Sequence, residues 1–424
     1  MKKVLIISYY WPPAGGPGVQ RWLKFVKYLP DFKVQPHVYV PENPHYPILD
    51  AAMEKEVSKK AIIIKNKIWE PYKWASFFSN KTQKISSGII TPSRKQSLAE
   101  KALLWVRGNL FIPDARVFWV KPSITFLASY IEQHQIETVI TTGPPHSMHL
   151  IGLGLKKQMP KIKWIADFRD PWTSIGYHKE LKLTERSAQK HFDLENEVMQ
   201  KADVLLVTSN RTKEVFERST SQPITVITNG FDVEKRGKKT KDAKFSIAHI
   251  GSFLSKRNPR VFWKALQELV RDEPDFKDAL ELKLVGAVST EILDTIKEFQ
   301  LDSFLNLVGY VSHEEAVAAQ RSAQVLLLIE IDSEQTKTII PGKLFEYMAA
   351  ERPILAVGPE ETDMENILLQ TNTGVYCKYD EKDKIIAVIK DYFERYKANN
   401  LQVNAVGIQQ YSRKNLTKQL SELL

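Results

Sequence analysis

Short apolar runs alternate with longer stretches of helical spacing along most of this chain. Lys3–Ser8 reads as a strand, and Gln20–Leu29 as a helix that turns Trp22, Phe25, Val26 and Leu29 inward. Further strands are expected at Pro36–Tyr39, Thr138–Thr141, Lys163–Ala166, Val204–Thr208 and Ile224–Ile227. Helical patterns at Lys121–His134, His149–Gln158 and Leu183–Met199 lie between them. Such alternation predicts a parallel sheet with helices on both faces. Asp232–Ala243 is polar and basic without apolar period, and reads as a linker. The alternation then restarts with strands Phe245–Ile250, Glu281–Val285, Leu305–Leu307 and Val325–Ile329. Their helices are Pro259–Arg271, Glu291–Phe299 and His313–Ser322. The expected fold class is therefore α/β, with two doubly wound units at residues 1–235 and 244–405. A last segment, residues 406–424, carries helix Lys414–Leu424.

Residues 55–120 interrupt this pattern. Trp69, Tyr72, Trp74, Phe77, Phe78, Trp105, Phe111, Phe118 and Trp119 are mixed there with Lys55, Lys59, Lys60, Lys73, Lys81, Lys84, Arg94, Lys95, Lys101 and Arg107. One reading is an insertion with its own small core. The other is an interfacial surface that meets a lipid acceptor or a membrane.

Length and composition narrow the class. A chain of 424 residues, 43% hydrophobic and 26% charged, suits two globular domains. The single cysteine, Cys377, excludes an intramolecular disulfide and suits a reducing compartment. Val4–Ile7 is too short for a signal segment or a membrane span, so a cytoplasmic location is expected, with peripheral contact at the inner membrane surface left open. The formal net charge of +10 favours anionic partners. Neither zinc-ligand spacing nor a nucleic-acid-binding motif is present, and no nucleic-acid partner is expected.

Candidate chemistry sits in loops that follow strands. Pro341-Gly342-Lys343-Leu344-Phe345-Glu346 joins the apolar run Val325–Ile329 to a helix beginning near Lys343. Free backbone N–H groups at such a helix start suit a diphosphate, and Glu346, one turn in, can accept from a ribose hydroxyl; an ordinary capped connection fits equally. Near the N-terminus, Gly15-Gly16-Pro17-Gly18 permits close backbone approach, or is a flexible turn, and Arg21 follows it. Thr141–His149 brings His146 and His149 to a strand end, with His146 the loop candidate and His149 the packing one. Asp167-Phe168-Arg169-Asp170 is either an ion-pair network or a pair of acids beside an acceptor hydroxyl. Its spacing is not Asp-x-Asp, so no essential metal is expected. Gly251-Ser252 followed by Lys256-Arg257 opens the second unit, and Gly309-Tyr310 with Ser312 and Glu315 makes a turn before a capping box.

The segment PGKLFEYMAAERPILAV resembles the donor-site segment of family-4 glycosyltransferases of the GT-B fold. That resemblance implies two Rossmann-like domains facing across a cleft, an acceptor-side first domain, a nucleotide-sugar-binding second domain, and a final helix that packs back on the first. It implies sugar transfer from a UDP- or GDP-sugar to a hydroxyl acceptor, a sugar or lipid-linked sugar, with retention, in polysaccharide or glycolipid assembly. A sugar-nucleotide epimerase and a non-catalytic sugar-binding scaffold are the alternatives. The residues implied on the donor side are Gly16, Gly18, Gly251, Ser252, Arg257, Tyr310, Thr338, Gly342, Lys343, Leu344 and Glu346. Those implied in catalysis are His146, Lys256, Asp167 and Asp170, with Lys256 stabilising the departing diphosphate. No cofactor is implied. Two positions depart from the family pattern: Thr338 replaces its first Glu, and Ser252 stands where it carries an Arg.

Overall fold

The computed structural model describes residues 1–70, 98–174, 178, 181–232 and 240–424. Two compact units emerge. One comprises Met1–Thr228 with Arg413–Leu424, and the other Asn229–Ser412.

The first unit holds strands β1 (Lys2–Ile7), β2 (Val34–Pro41), β3 (Ile62–Asn66), β4 (Thr138–Gly143), β5 (Lys163–Phe168), β6 (Val204–Val207) and β7 (Ile224–Val226). They form one sheet in the order β3-β2-β1-β4-β5-β6-β7, and every pair is parallel. Its helices are α1 (Pro17–Tyr28), α2 (Leu98–Leu110), α3 (Val117–His134), α4 (Ser147–Gln158), α5 (Glu185–Lys201) and α6 (Asn210–Glu217). Successive side chains on a strand point to opposite faces. On β1, Val4 and Ile6 accordingly join one apolar cluster, and Leu5 and Ile7 the other.

The second unit continues with β8 (Phe245–Ile250), α7 (Arg260–Asp272), α8 (Pro274–Ala279), β9 (Leu280–Val285), α9 (Thr290–Glu298), β10 (Leu305–Gly309), α10 (His313–Ser322) and β11 (Val325–Ile329). Then come α11 (Gly342–Ala350), β12 (Ile354–Gly358), α12 (Asp363–Thr371), β13 (Gly374–Lys378) and α13 (Lys382–Lys397). The sheet runs β10-β9-β8-β11-β12-β13, again all parallel. Here too the strands are apolar on both faces. Val325, Leu327 and Ile329 of β11 meet one cluster, and Leu326 and Leu328 the other.

The terminal helix α14 (Arg413–Glu422) returns to the first unit. Leu416 and Leu420 join the cluster that contains Trp22, Leu23 and Val26 of α1. Arg413 donates to Gln20 Oε1 at 2.9 Å, and Lys414 pairs with Asp31 at 3.0 Å.

Residues 55–120 do not form a separate insertion throughout, because β3 within them is the edge strand of the first sheet. Trp119 is 1% exposed and stacks on Tyr39 at 4.8 Å between centroids, so it belongs to the main core. Trp69, Trp105 and Phe118 stay exposed, and Trp69 meets Phe118 edge-on at 4.8 Å. Tyr72, Lys73, Trp74, Phe77, Phe78, Lys81, Lys84, Arg94, Lys95 and most of the expected linker lie outside the described residues. Among the described residues no helix is long and apolar enough to cross a membrane.

Candidate functional site

Strand order decides where each site can form. In the first sheet the chain winds outward from β1 in one direction and from β4 in the other; in the second, from β8 and from β11. Loops leaving the carboxyl ends of such neighbours diverge and leave a crevice.

At the β8/β11 switch point the lining is glycine and cation. Gly251 follows β8 with φ +120°, a backbone region that L side chains avoid, and a Cβ there would collide with Lys343 Nζ. Lys343 is the second residue of α11. Burial, followed by the nearby Arg257 charge, pulls its ammonium down to about 8, against the opposing pull of Glu346 and Glu330. Arg257 Nη2 meets Glu330 Oε1 at 3.4 Å. Gly342 opens α11 with free space where a side chain would be, and its amide and that of Lys343 have no partner within the helix. Tyr347, on the same helix, locks it to the strand end: its hydroxyl accepts from Ile250 N at 2.9 Å and donates to Ile250 O at 3.3 Å. Glu346 is half-buried, and its Oε2 accepts from Gln320 Nε2 at 3.2 Å.

The structure thus brings together Gly251, Arg257, Gly342, Lys343 and Glu346, and corrects several expectations. Lys256 lies on the exposed side of the loop, while its neighbour Arg257 turns toward Glu330. Leu344 is fully buried in the core and its amide donates to Pro341 O at 3.0 Å, so it has nothing to offer a donor. The Tyr310 ring is 93% exposed. Ser252 is exposed, and Thr338 donates to Gln335 O at 3.1 Å within its own turn. Glu330 and Tyr347 escaped the sequence reading. For Glu330 the available signal was a charged residue directly after an apolar strand; Tyr347, inside an apolar-rich helix, offered none.

At the β1/β4 switch point three motifs of the first unit converge. Gly16 precedes α1 with φ +103° and open space around its Cα. Gly18 lies so close to the Arg169 guanidinium that a Cβ would strike Nη1, and Arg169 also donates to Pro144 O. His146 is 4% exposed and stacks on Trp172 at 4.9 Å and 5°. Among the described residues, neither of its ring nitrogens has a hydrogen-bond partner. Burial, then the charges of His149 and Arg169, holds His146 well below its ordinary value, so it is a neutral ring. Asp114, which the sequence reading missed, accepts from Ser147 N at 2.9 Å and Ser147 Oγ at 2.8 Å, fixing the helix start behind His146.

The two acids of the Asp-x-x-Asp motif separate. Asp167 is fully buried and accepts from Trp22 Nε1 at 2.7 Å, Thr142 Oγ1 at 2.8 Å and Arg21 Nη2 at 3.0 Å. Full burial and three hydrogen bonds commit it to the fold, which speaks against its expected catalytic role. Arg21 is equally buried and does not reach out of the core. Asp170 is half-buried, no hydrogen bond reaches its carboxyl among the described residues, and burial pushes that carboxyl up despite Arg169 beside it. His149 packs: Nδ1 meets Thr141 Oγ1 at 2.9 Å and the ring stacks on Phe168 at 4.4 Å.

Two family models match the chain, Glycosyltransferase Family 4 over residues 82–235 and Glycosyl transferases group 1 over residues 244–394. Comparison with curated protein sequences finds no match. Among solved structures, sucrose-phosphate synthase from Thermosynechococcus elongatus is similar, with a TM-score of 0.60 at 13% identity over 100% of this chain and 98% of that one. Anabaena HepE in complex with UDP-glucose follows with 0.58 at 13% identity, over 100% and 99%. The lipopolysaccharide outer core galactosyltransferase WaaB gives 0.57 at 12% identity, over 100% and 98%. These likenesses assign the fold, two parallel α/β units of the GT-B type. The two family models, which between them take in residues 82–235 and 244–394, make the chain a family-4-like glycosyltransferase.

Removing one member of a buried ion pair strands the other. Asp167→Asn should therefore destabilise the chain by about 3–5 kcal/mol, seen as a lower urea midpoint. Lost turnover with an unchanged midpoint would return Asp167 to the chemistry.

Proposed function

We propose that this enzyme transfers a sugar from a nucleotide diphosphate sugar to a hydroxyl acceptor, with retention of anomeric configuration, in polysaccharide or glycolipid assembly. The observation that carries this reading is the cationic, glycine-lined switch point of the second unit. Arg257, Lys343 and the amides of Gly342 and Lys343 converge there at the carboxyl ends of β8 and β11. A diphosphate is the group such a site suits, and the similarly folded HepE was solved with UDP-glucose.

In the proposed reaction the acceptor hydroxyl oxygen bonds to the anomeric carbon on the face that the diphosphate leaves. The carbon–phosphate-oxygen bond breaks, and the hydroxyl proton passes to the departing phosphate. Arg257 and Lys343 offset the charge that grows on the leaving group. These cations make an essential metal unnecessary. Glu346 binds the ribose. In the first unit His146, a neutral ring with neither nitrogen bonded among the described residues, and Asp170, its carboxyl pushed up by burial near a strand end, are the groups for sugar and acceptor. Gly16 keeps the loop before α1 open, and Gly18 lets the first turn of α1 lie close to Arg169. The exposed Trp69, Trp105 and Phe118 suit a lipid-linked acceptor at a membrane surface.

Glu346→Ala should weaken UDP or GDP binding, measured by calorimetry, by about 1–3 kcal/mol, the usual loss for a charge-assisted hydrogen bond. Equal affinity in a folded variant argues against the ribose role.

Lys343 makes affinity pH-dependent. Its charged form binds the anion and predominates below about pH 8. Above neutrality the diphosphate is already ionised, so affinity should fall as pH rises through that value. Lys343→Ala should bind more weakly and lose this slope; a variant that keeps the slope removes Lys343 from the site.

Turnover of a panel of UDP- and GDP-sugars should survive EDTA in full. Loss that magnesium or manganese restores contradicts metal independence.

A further inference from the structure

Glu330 stands directly after β11 at the second switch point, and none of the steps above uses it. It is 2% exposed. Its backbone is held on both sides: the amide donates to Val357 O at 2.9 Å, and the carbonyl accepts from Tyr379 Oη at 2.8 Å. Its Cβ lies against Gly358. Oε1 accepts from Ile331 N at 2.8 Å and faces Arg257 Nη2 at 3.4 Å, while Oε2 has no hydrogen-bond partner among the described residues.

A buried carboxylate with an idle oxygen is costly, and an acid beside an anion site repels the anion. Both costs are intelligible if the carboxylate serves the cation. Arginine's long side chain carries rotamer entropy that a ligand must otherwise quench on binding. A guanidinium already held in place removes that penalty.

We propose that Glu330 is a positioning residue whose buried carboxylate anchors the Arg257 guanidinium at the carboxyl ends of β8 and β11, before a diphosphate arrives. The inference rests on the nucleotide-sugar reading above and deepens it. Two effects of opposite sign separate it from simple electrostatics. Removing a nearby negative charge should tighten binding of an anion. Releasing Arg257 should loosen it.

The test is calorimetric titration with UDP and with GDP of the wild-type chain, Glu330→Gln, Arg257→Ala and the double variant, with thermal unfolding recorded for each. Glu330→Gln should weaken the preferred nucleotide on the order of tenfold while remaining folded. On the Arg257→Ala background it should produce no further loss, because the residue it positions is gone. If Glu330→Gln melts below the assay temperature, Glu330→Asp, which keeps the charge but withdraws it by one methylene, takes its place with the same expectation. Unchanged or tighter binding in a folded Glu330 variant overturns the proposal, as does an equal loss with and without Arg257. A wild-type chain that binds neither nucleotide overturns the donor reading itself, a separate outcome that removes this inference with it.

Discussion

Everything chemical in this molecule depends on one constraint, the reversal of winding direction inside each all-parallel sheet. Parallel strands all end at the same edge, and each is followed by a loop and a helix start. Where neighbours such as β8 and β11 send their loops apart, backbone N–H groups and short side chains meet without a covering element. Glycine is needed at Gly251, since φ is positive there and Lys343 fills the space a side chain would take. The same rule brings Gly18, Arg169 and His146 to the edge of the first sheet.

Burial then divides charged residues into those that hold the fold and those free to act. Asp167 and Arg21 pair with each other inside the first unit, and Asp167 spends three acceptor bonds on Trp22, Thr142 and Arg21. Lys343 is the opposite case: burial weakens its hold on the proton, and an arriving anion would restore it. Arg257 lies between these extremes, partly exposed yet tied to a fully enclosed carboxylate. A positive site built from such groups is poised, because its cations are only partly neutralised by Glu330 and Glu346.

The sequence by itself determined the architecture. Apolar runs of strand length, such as Val325–Ile329, and helical periods such as His313–Ser322 appear where they were expected, because period and burial are local properties. It also located the strand-end loops that hold the candidate residues and the Glu346 helix. It did not reveal that Ile62–Asn66 joins the first sheet, since an edge strand with one buried residue has no clear pattern. Nor did it place Asn210–Glu217 or the elements from Asp363 to Lys397. Within the loops it could not choose between neighbours. Only the tertiary structure decided that Arg257 rather than Lys256 turns inward, that Asp170 rather than Asp167 keeps a free carboxylate, and that Glu330 lies against Arg257, 73 residues away in the chain. Those choices follow from backbone direction at a turn and from which partner is brought near in space, and neither is encoded in the spacing of residue types.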